Sequence, residues 1–205
     1  MQTDNFAIIQ SKGMETETKD KASTGMPDAS RHQAFHLTPY EHRFEIVHEN
    51  INGGIVKIHI DAVAQALRKM RTDPRKKAEW ETINIIAREK ANEGHEVFIL
   101  PEIHVKDTEL RKKLLPDAIG AKNQDLRING NLVEVKTPES VTLDAIRQNL
   151  RKASKQAHNI IINMLANPGR SYLDKIANEK FRDKNNQIKT IEFRDNGIYF
   201  LFKPK

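Results

Sequence analysis

The feature that most constrains the fold is a pair of short strands joined by a tight turn between residues 125 and 136. Asp125–Ile128 and Leu132–Lys136 both read as strands, and Asn129-Gly130-Asn131 lies between them. Asn-Gly favours the left-handed backbone that a hairpin turn needs. The sequence therefore predicts a hairpin in which Asp125 lies near Glu134 or Lys136, depending on the length of the turn.

A helix and a buried strand follow this hairpin. Thr142 can cap a helix that runs to about Ala157, with Leu143, Ile146 and Leu150 on one stripe. The mostly apolar segment 159–164 then reads as a strand buried on both faces. A strand, a crossover helix and a strand predict a parallel pair inside a mixed central sheet flanked by helices, which is an α/β fold.

The rest of the chain divides into three parts by composition. Residues 1–43 are mostly polar and lack periodicity, so we predict a flexible N-terminal leader without a secretory signal. Residues 44–74 predict two strands and a short helix capped by Asp61. Residues 75–205 predict the α/β domain, which opens with a helix over 75–93 and closes with a helix and a second hairpin.

Composition excludes several classes of protein. The chain has 205 residues and no cysteine, so disulfide scaffolds, cysteine-ligated metals and thiol nucleophiles are excluded. No apolar run approaches the roughly 18–20 residues of a membrane helix. The formal net charge is +6, which favours a polyanionic partner such as nucleic acid. A basic cluster is the best candidate for phosphate contacts, although a solvated helix face explains it nearly as well: Arg68, Lys69, Arg71, Arg75, Lys76 and Lys77.

The first hairpin also carries a group of ionisable residues. Glu134 and Lys136 are two positions apart on one strand, so their side chains leave the same face, and Asp125 lies across the turn. Two carboxylates and a lysine can hold Mg²⁺ or Mn²⁺ and orient an attacking water. The same three residues can instead form an ordinary cross-strand network of ion pairs. Spacing alone favours the ion-pair interpretation.

The order of these elements resembles the PD-(D/E)xK nuclease superfamily, in which Asp opens one strand and Glu-x-Lys lies on the next before a helix and a buried strand. More narrowly, residues 80–165 resemble the C-terminal tRNA-cleaving toxin domain of contact-dependent growth-inhibition systems. The resembling text comprises NEGHEVFILPE, QDLRINGNLVEVKTPES and AIRQNLRKASKQAHNIIINM. Gln124 departs from the family pattern, which often has proline before the Asp.

The resemblance implies a restriction-endonuclease-like αβββαβ core with metal-dependent activity. It implies Asp125 and Glu134 as ligands of Mg²⁺ or Mn²⁺, and Lys136 as the catalytic lysine. Lys152 and Gln156 would support the phosphate or the water. A further acidic ligand is expected from the first helix, with Glu81 as the best match by order and Glu79 and Glu89 as other registers, or from Glu102 after the first strand.

The implied activity is endonucleolytic hydrolysis of RNA, particularly tRNA, with DNA left open by the chemistry. The resemblance implies a bacterial toxin or mobile-element nuclease that acts in the cytoplasm, and that is delivered between cells if it is a toxin. An acidic immunity protein would then cover the basic cleft.

Two alternatives remain open. A metal-independent, barnase-like RNase toxin would depend on His or Lys; His95 and His104, which flank the strand 96–100, fit no defined constellation. A non-catalytic nucleic-acid-binding or mobile-element structural protein would use the Asp–Glu–Lys group only as an ion-pair network.

Overall fold

The computed structural model describes residues 39–140, 142–183, 186–195 and 197–204. The predicted leader lies almost wholly outside the described residues. Among those residues, no helix is both long enough and apolar enough to cross a bilayer.

The described part of the chain forms one eight-stranded sheet whose spatial order follows the sequence. Strands β2 and β3, β5 and β6, and β6 and β7 pair in parallel, and the other neighbours pair antiparallel. The first two strands therefore continue the sheet that carries the predicted hairpin. The strands are β1 Phe44–Glu49, β2 Ile55–His59, β3 Glu96–Ile99, β4 Leu126–Ile128, β5 Asn131–Lys136, β6 Asn159–Asn163, β7 Thr190–Asp195 and β8 Ile198–Phe202.

In the described part of the chain, five α-helices connect the strands, and one short 3₁₀ helix, Tyr40–His42, precedes β1. The order from residue 75 onward matches the predicted fold class, and the charged segment 107–115, which the sequence predicts as a short helix or a loop, contains a short helix after β3. The α-helices are α1 Ile60–Thr72, α2 Arg75–Asn92, α3 Thr108–Leu114, α4 Leu143–Ala153 and α5 Arg170–Phe181.

The sheet has apolar side chains on both faces, as expected of a sheet that helices cover on both sides. On one face α1 and α2 pack over Val56, Val133 and Ile161. On the opposite face α4 and α5 pack over Ile160 and Ile162 of the same strand β6. The alternation along β6 follows from the two-residue period of a strand.

The hairpin between β4 and β5 forms as the sequence predicts. Its loop has two residues, Asn129 and Gly130, with φ of 47° and 83°. Both values lie in the left-handed region that a type I′ turn requires. Ile128 pairs with Asn131 and Leu126 with Val133, so this register places Asp125 opposite Glu134.

Two predicted helix ends differ from the structure. Helix α4 begins after Thr142, whose hydroxyl accepts from Ala145 N at 3.3 Å as predicted, but it ends at Ala153. Gln156 consequently lies in the turn that follows and not on the helix. Helix α1 is capped by the ring of His59, which accepts from the main-chain N of Asp61 at 3.1 Å, and not by Asp61 itself.

Candidate active site

The hairpin brings three of the predicted residues together. Asp125 Oδ2 accepts a hydrogen bond from the main-chain N of Val135 at 2.9 Å, which ties it to the middle of β5. Lys136 Nζ donates to Glu134 Oε1 on the same strand face. The structure therefore places two carboxylates and one ammonium group around a single point at the ends of two strands.

Burial makes this cluster electrostatically unusual. Glu134 is only 2% exposed, and its Oε2 has no hydrogen-bond partner among the residues that the structure describes. Burial, and then the nearby charge of Asp125, raise the pKa of Glu134 to about 8. Burial likewise raises the pKa of Asp125, although Lys136 and the main chain of Val135 oppose the shift. Burial acts to lower the pKa of Lys136, but the two carboxylates raise it overall.

These residues border a cavity of about 870 Å³ at the carboxyl ends of β3 and β5. The cavity lies where α1, α2 and α4 approach the sheet. Five carboxylates and four lysines are among the described residues that line it: Glu79, Glu102, Asp125, Glu134, Glu139, Lys69, Lys76, Lys136 and Lys152.

Most of the predicted supporting residues also reach this cavity. Lys152 and Gln156 both line it, as does Glu102. The side-chain amide of Gln156 donates to the main-chain O of Lys152 at 3.3 Å, so it caps the end of α4. Glu102 accepts from Lys69 of α1 and is exposed at the cavity rim.

Helix α2 presents Glu79 to the cavity and not Glu81. Two positions on a helix differ by about 200° in direction, so only one of these glutamates can face the sheet end. Glu81 does not line the cavity; its Oε1 lies 3.9 Å from Lys77 Nζ at the helix surface. The charge of Glu79 acts on the pKa values of Asp125, Glu134 and Lys136. The acidic residue that the resemblance implies on this helix is better matched by Glu79.

Sequence reasoning missed the contribution of α1. Gln65 on this helix donates to the main-chain O of Glu102 at 2.9 Å and accepts from its main-chain N at 2.7 Å. These two bonds fix α1 against the loop after β3, so that α1 forms one wall of the cavity. The only sequence signal was the basic cluster, of which Lys69 and Lys76 line the cavity.

The two histidines considered for metal-free catalysis lie elsewhere. His95 Nδ1 contacts the amide of Asn129 at 2.8 Å, and His104 Nδ1 accepts from the main-chain N of Lys106 at 3.2 Å. No histidine is among the described residues that line the cavity.

The donor set fits a hard divalent cation. Asp125 and Glu134 supply carboxylate oxygens, and Glu134 Oε2 is buried without a partner. The described residues contain no group of three or more His, Asp or Glu side chains that could hold a metal ion. Mg²⁺ often binds through one or two carboxylates and completes its coordination with water and substrate phosphate. The pair is therefore suited to Mg²⁺ or Mn²⁺ in the presence of a phosphate substrate.

Comparison with known proteins points to one family for this part of the chain. Residues 122–198 match the family model described as the contact-dependent growth inhibition CdiA C-terminal domain. The match covers less than half of the chain, but it includes the whole Asp–Glu–Lys cluster. No curated protein matches the sequence.

One solved structure is also similar. It is a CdiA-CT/CdiI toxin and immunity complex from Burkholderia pseudomallei, with 22% sequence identity and a TM-score of 0.45. The similarity covers 64% of this chain and 89% of that one.

Proposed function

We propose that this chain is a metal-dependent endonuclease that hydrolyses phosphodiester bonds at the cavity formed by β3, β5, α1, α2 and α4. The observation that carries the proposal is the convergence of Asp125, Glu134 and Lys136 at this cavity. The buried carboxylate of Glu134 and the half-buried carboxylate of Asp125 share one lysine and repel each other when both are ionised, and a divalent cation relieves that repulsion.

Asp125 and Glu134 hold the metal ion, Mg²⁺ or Mn²⁺, which supplies a water of lowered pKa and neutralises charge on the phosphate. Lys136 Nζ contacts Glu134 in the free protein and is positioned to meet the negative charge that develops on the phosphate. Asp125 is held by the main chain of Val135, so its orientation is fixed before substrate binds.

Lysines at the cavity rim bind the flanking phosphates. Lys69 and Lys76 line the cavity from α1 and α2, and Lys152 lines it from α4. In the free protein Lys69 pairs with Glu102, and Lys76 pairs with Glu79 at 2.6 Å. These surface ion pairs are weak, so a phosphate can replace a carboxylate as the partner of each lysine.

We propose RNA, and tRNA in particular, as the substrate, and a toxin delivered between bacterial cells as the biological context. The match of residues 122–198 to the CdiA C-terminal domain supports this context. The chemistry of the cavity does not select RNA over DNA. A producing cell would need an inhibitor, and an acidic immunity protein would complement a chain with a net charge of +6.

The experiment that tests the proposal is cleavage of total tRNA and of plasmid DNA by the purified chain, with Mg²⁺ or with EDTA. Glu134→Gln and Lys136→Ala are the site variants. Glu81→Gln is the matched control, because Glu81 lies on α2 outside the cavity. We expect cleavage of tRNA that requires Mg²⁺, is lost in both site variants and is retained in the control.

Each alternative predicts a different result. Cleavage that survives EDTA would favour the metal-independent RNase. A folded protein that binds nucleic acid but cuts neither substrate would favour the non-catalytic binding protein, in which Lys136 and Glu134 are only an ion pair. Cleavage of plasmid DNA and not tRNA would retain the mechanism and change the substrate.

A further inference from the structure

Gln124 is a buried glutamine beside the candidate metal ligands. It immediately precedes Asp125, and it lines the same cavity as Asp125 and Glu134. Only 2% of Gln124 is exposed. A glutamine is rarely buried to this extent without partners for its amide.

The orientation of this amide is fixed by the turn after α4. The Nε2 atom of Gln124 donates to the main-chain O of Gln156, which can only accept a hydrogen bond. The Oε1 atom of Gln124 therefore points away from the main-chain O of Gln156. This oxygen is buried and has no hydrogen-bond partner among the described residues.

An unpaired buried acceptor destabilises the folded state unless a ligand satisfies it. A phosphate oxygen cannot do so, because it also only accepts. Lys136, the ammonium group of the cavity centre, donates to Glu134 and makes no hydrogen bond to Gln124 Oε1 among the described residues. The Oε2 atom of Glu134, in the same cavity, is likewise buried and unpartnered. A hard cation satisfies both oxygens, since amide carbonyl and carboxylate oxygens are both ligands for such ions.

We propose that Gln124 Oε1 is a third protein oxygen ligand of the divalent ion bound by Asp125 and Glu134. The main-chain O of Gln156 holds the amide so that its oxygen, and not its nitrogen, is turned to the ion. The inference rests on the proposed function, because it assumes that the cavity binds a metal. It adds a neutral ligand that is not one of the acidic residues predicted from the sequence.

The experiment measures Mn²⁺ affinity by electron paramagnetic resonance of the free ion, with the full chain and no nucleic acid. Gln124→Met keeps the length of the side chain but replaces the hard oxygen by a thioether, a poor ligand for Mn²⁺. Gln148→Met is the matched control, because Gln148 lines the same cavity but is exposed. Glu134→Gln reports loss of the metal site itself.

We expect Gln124→Met to weaken Mn²⁺ binding about tenfold or more. We expect Gln148→Met to bind as the unmodified chain does. A folded Gln124→Met variant with unchanged affinity would overturn the inference and leave the proposed function standing. Absence of Mn²⁺ binding by the unmodified chain would overturn both.

Gln124→Glu keeps the test decisive if the methionine variant does not fold. It retains a hard oxygen at the same reach, and as the protonated acid it can still donate to the main-chain O of Gln156. We expect it to bind Mn²⁺ more tightly than Glu134→Gln does. A loss of affinity as large as that of Glu134→Gln would contradict a ligand at this position.

Discussion

Two clusters of buried and half-buried charged groups lie on opposite faces of the sheet, and they differ in how their charges are balanced. Under α2, Lys90, Glu93, Arg194 and Glu192 form a closed ring of alternating sign, with ion-pair distances of 2.8, 2.9, 3.2 and 2.9 Å. At the cavity, two carboxylates share the single lysine Lys136.

The difference separates stabilisation from function. In the ring, each carboxylate has two cationic neighbours, and the ring links helix α2 to strand β7, about one hundred residues later in the sequence. In the cavity two carboxyl groups share one cationic neighbour, and burial raises the pKa of Glu134 to about 8. A carboxyl group whose pKa is raised in this way is typical of sites that bind a cation or perform acid–base chemistry.

The largest expected effect separates the two clusters by activity. Glu134→Gln should lower the rate of Mg²⁺-dependent cleavage about a thousandfold, because it removes a metal ligand and with it several kcal/mol of transition-state stabilisation. Glu192→Gln should change the rate less than about threefold under conditions in which both variants are folded. Single-turnover cleavage, with folding checked by circular dichroism, measures both. Equal losses would remove the distinction between the clusters.

The second prediction concerns the contribution of the ring of ion pairs to the free energy of unfolding. Arg194→Met leaves the buried Glu192 without one of its two cations, and it removes one cation from the partly exposed Glu93. We expect the free energy of unfolding to fall by about 3–5 kcal/mol. Urea unfolding measures this, with Arg68→Ala, an exposed change on α1, expected within about 0.5 kcal/mol of the unmodified chain. A loss under about 1 kcal/mol for Arg194→Met would show that the ring contributes little.

A third effect concerns the pH dependence of stability without metal. The folded-state pKa of Glu134 lies near 8, above the usual value of 4.5, so the native state binds more protons than the unfolded state between these values. Stability should therefore fall by a few kcal/mol as pH rises from about 4.5 to about 8. Glu134→Gln should flatten this slope in EDTA. An unchanged slope would contradict the raised pKa.

The smallest expected effect tests the helix register at the cavity. Glu79→Gln should lower the rate of cleavage about tenfold. Glu79 lines the cavity, and its charge affects the pKa values of all three central residues. Glu81→Gln should leave the rate unchanged. Parallel rate measurements on both variants decide between them, and the reverse order of effects would restore Glu81 as the acidic residue of this helix.

Local sequence patterns predicted much of the fold. Asn129-Gly130 predicted the hairpin because few residue pairs accept two left-handed conformations, and Thr142 predicted the start of α4 through its cap. These features depend on neighbours within a few positions. The same locality explains the placement of Asp125 opposite Glu134, which follows from the length of the turn.

Features that depend on distant contacts could not be predicted. The end of α4 at Ala153 allows the main chain of Gln156 to receive Gln124, more than thirty residues earlier. The choice of Glu79 over Glu81 depends on how α2 is rotated against the sheet. The ring of ion pairs joins residues 90–93 to residues 192–194, and no pattern in either segment indicates that the two are in contact.

The binding of a divalent cation by Asp125 and Glu134 is tested by magnesium titration calorimetry. The proteins are the unmodified chain, Glu134→Gln and Glu192→Gln. Each variant replaces one buried glutamate, Glu134 at the cavity or Glu192 in the ring, and the unmodified chain keeps both. We expect the unmodified chain and Glu192→Gln to bind Mg²⁺ with similar affinity, and we expect no binding by Glu134→Gln. Equal binding by all three, or no binding by the unmodified chain in the presence of a non-cleavable phosphodiester, would contradict it.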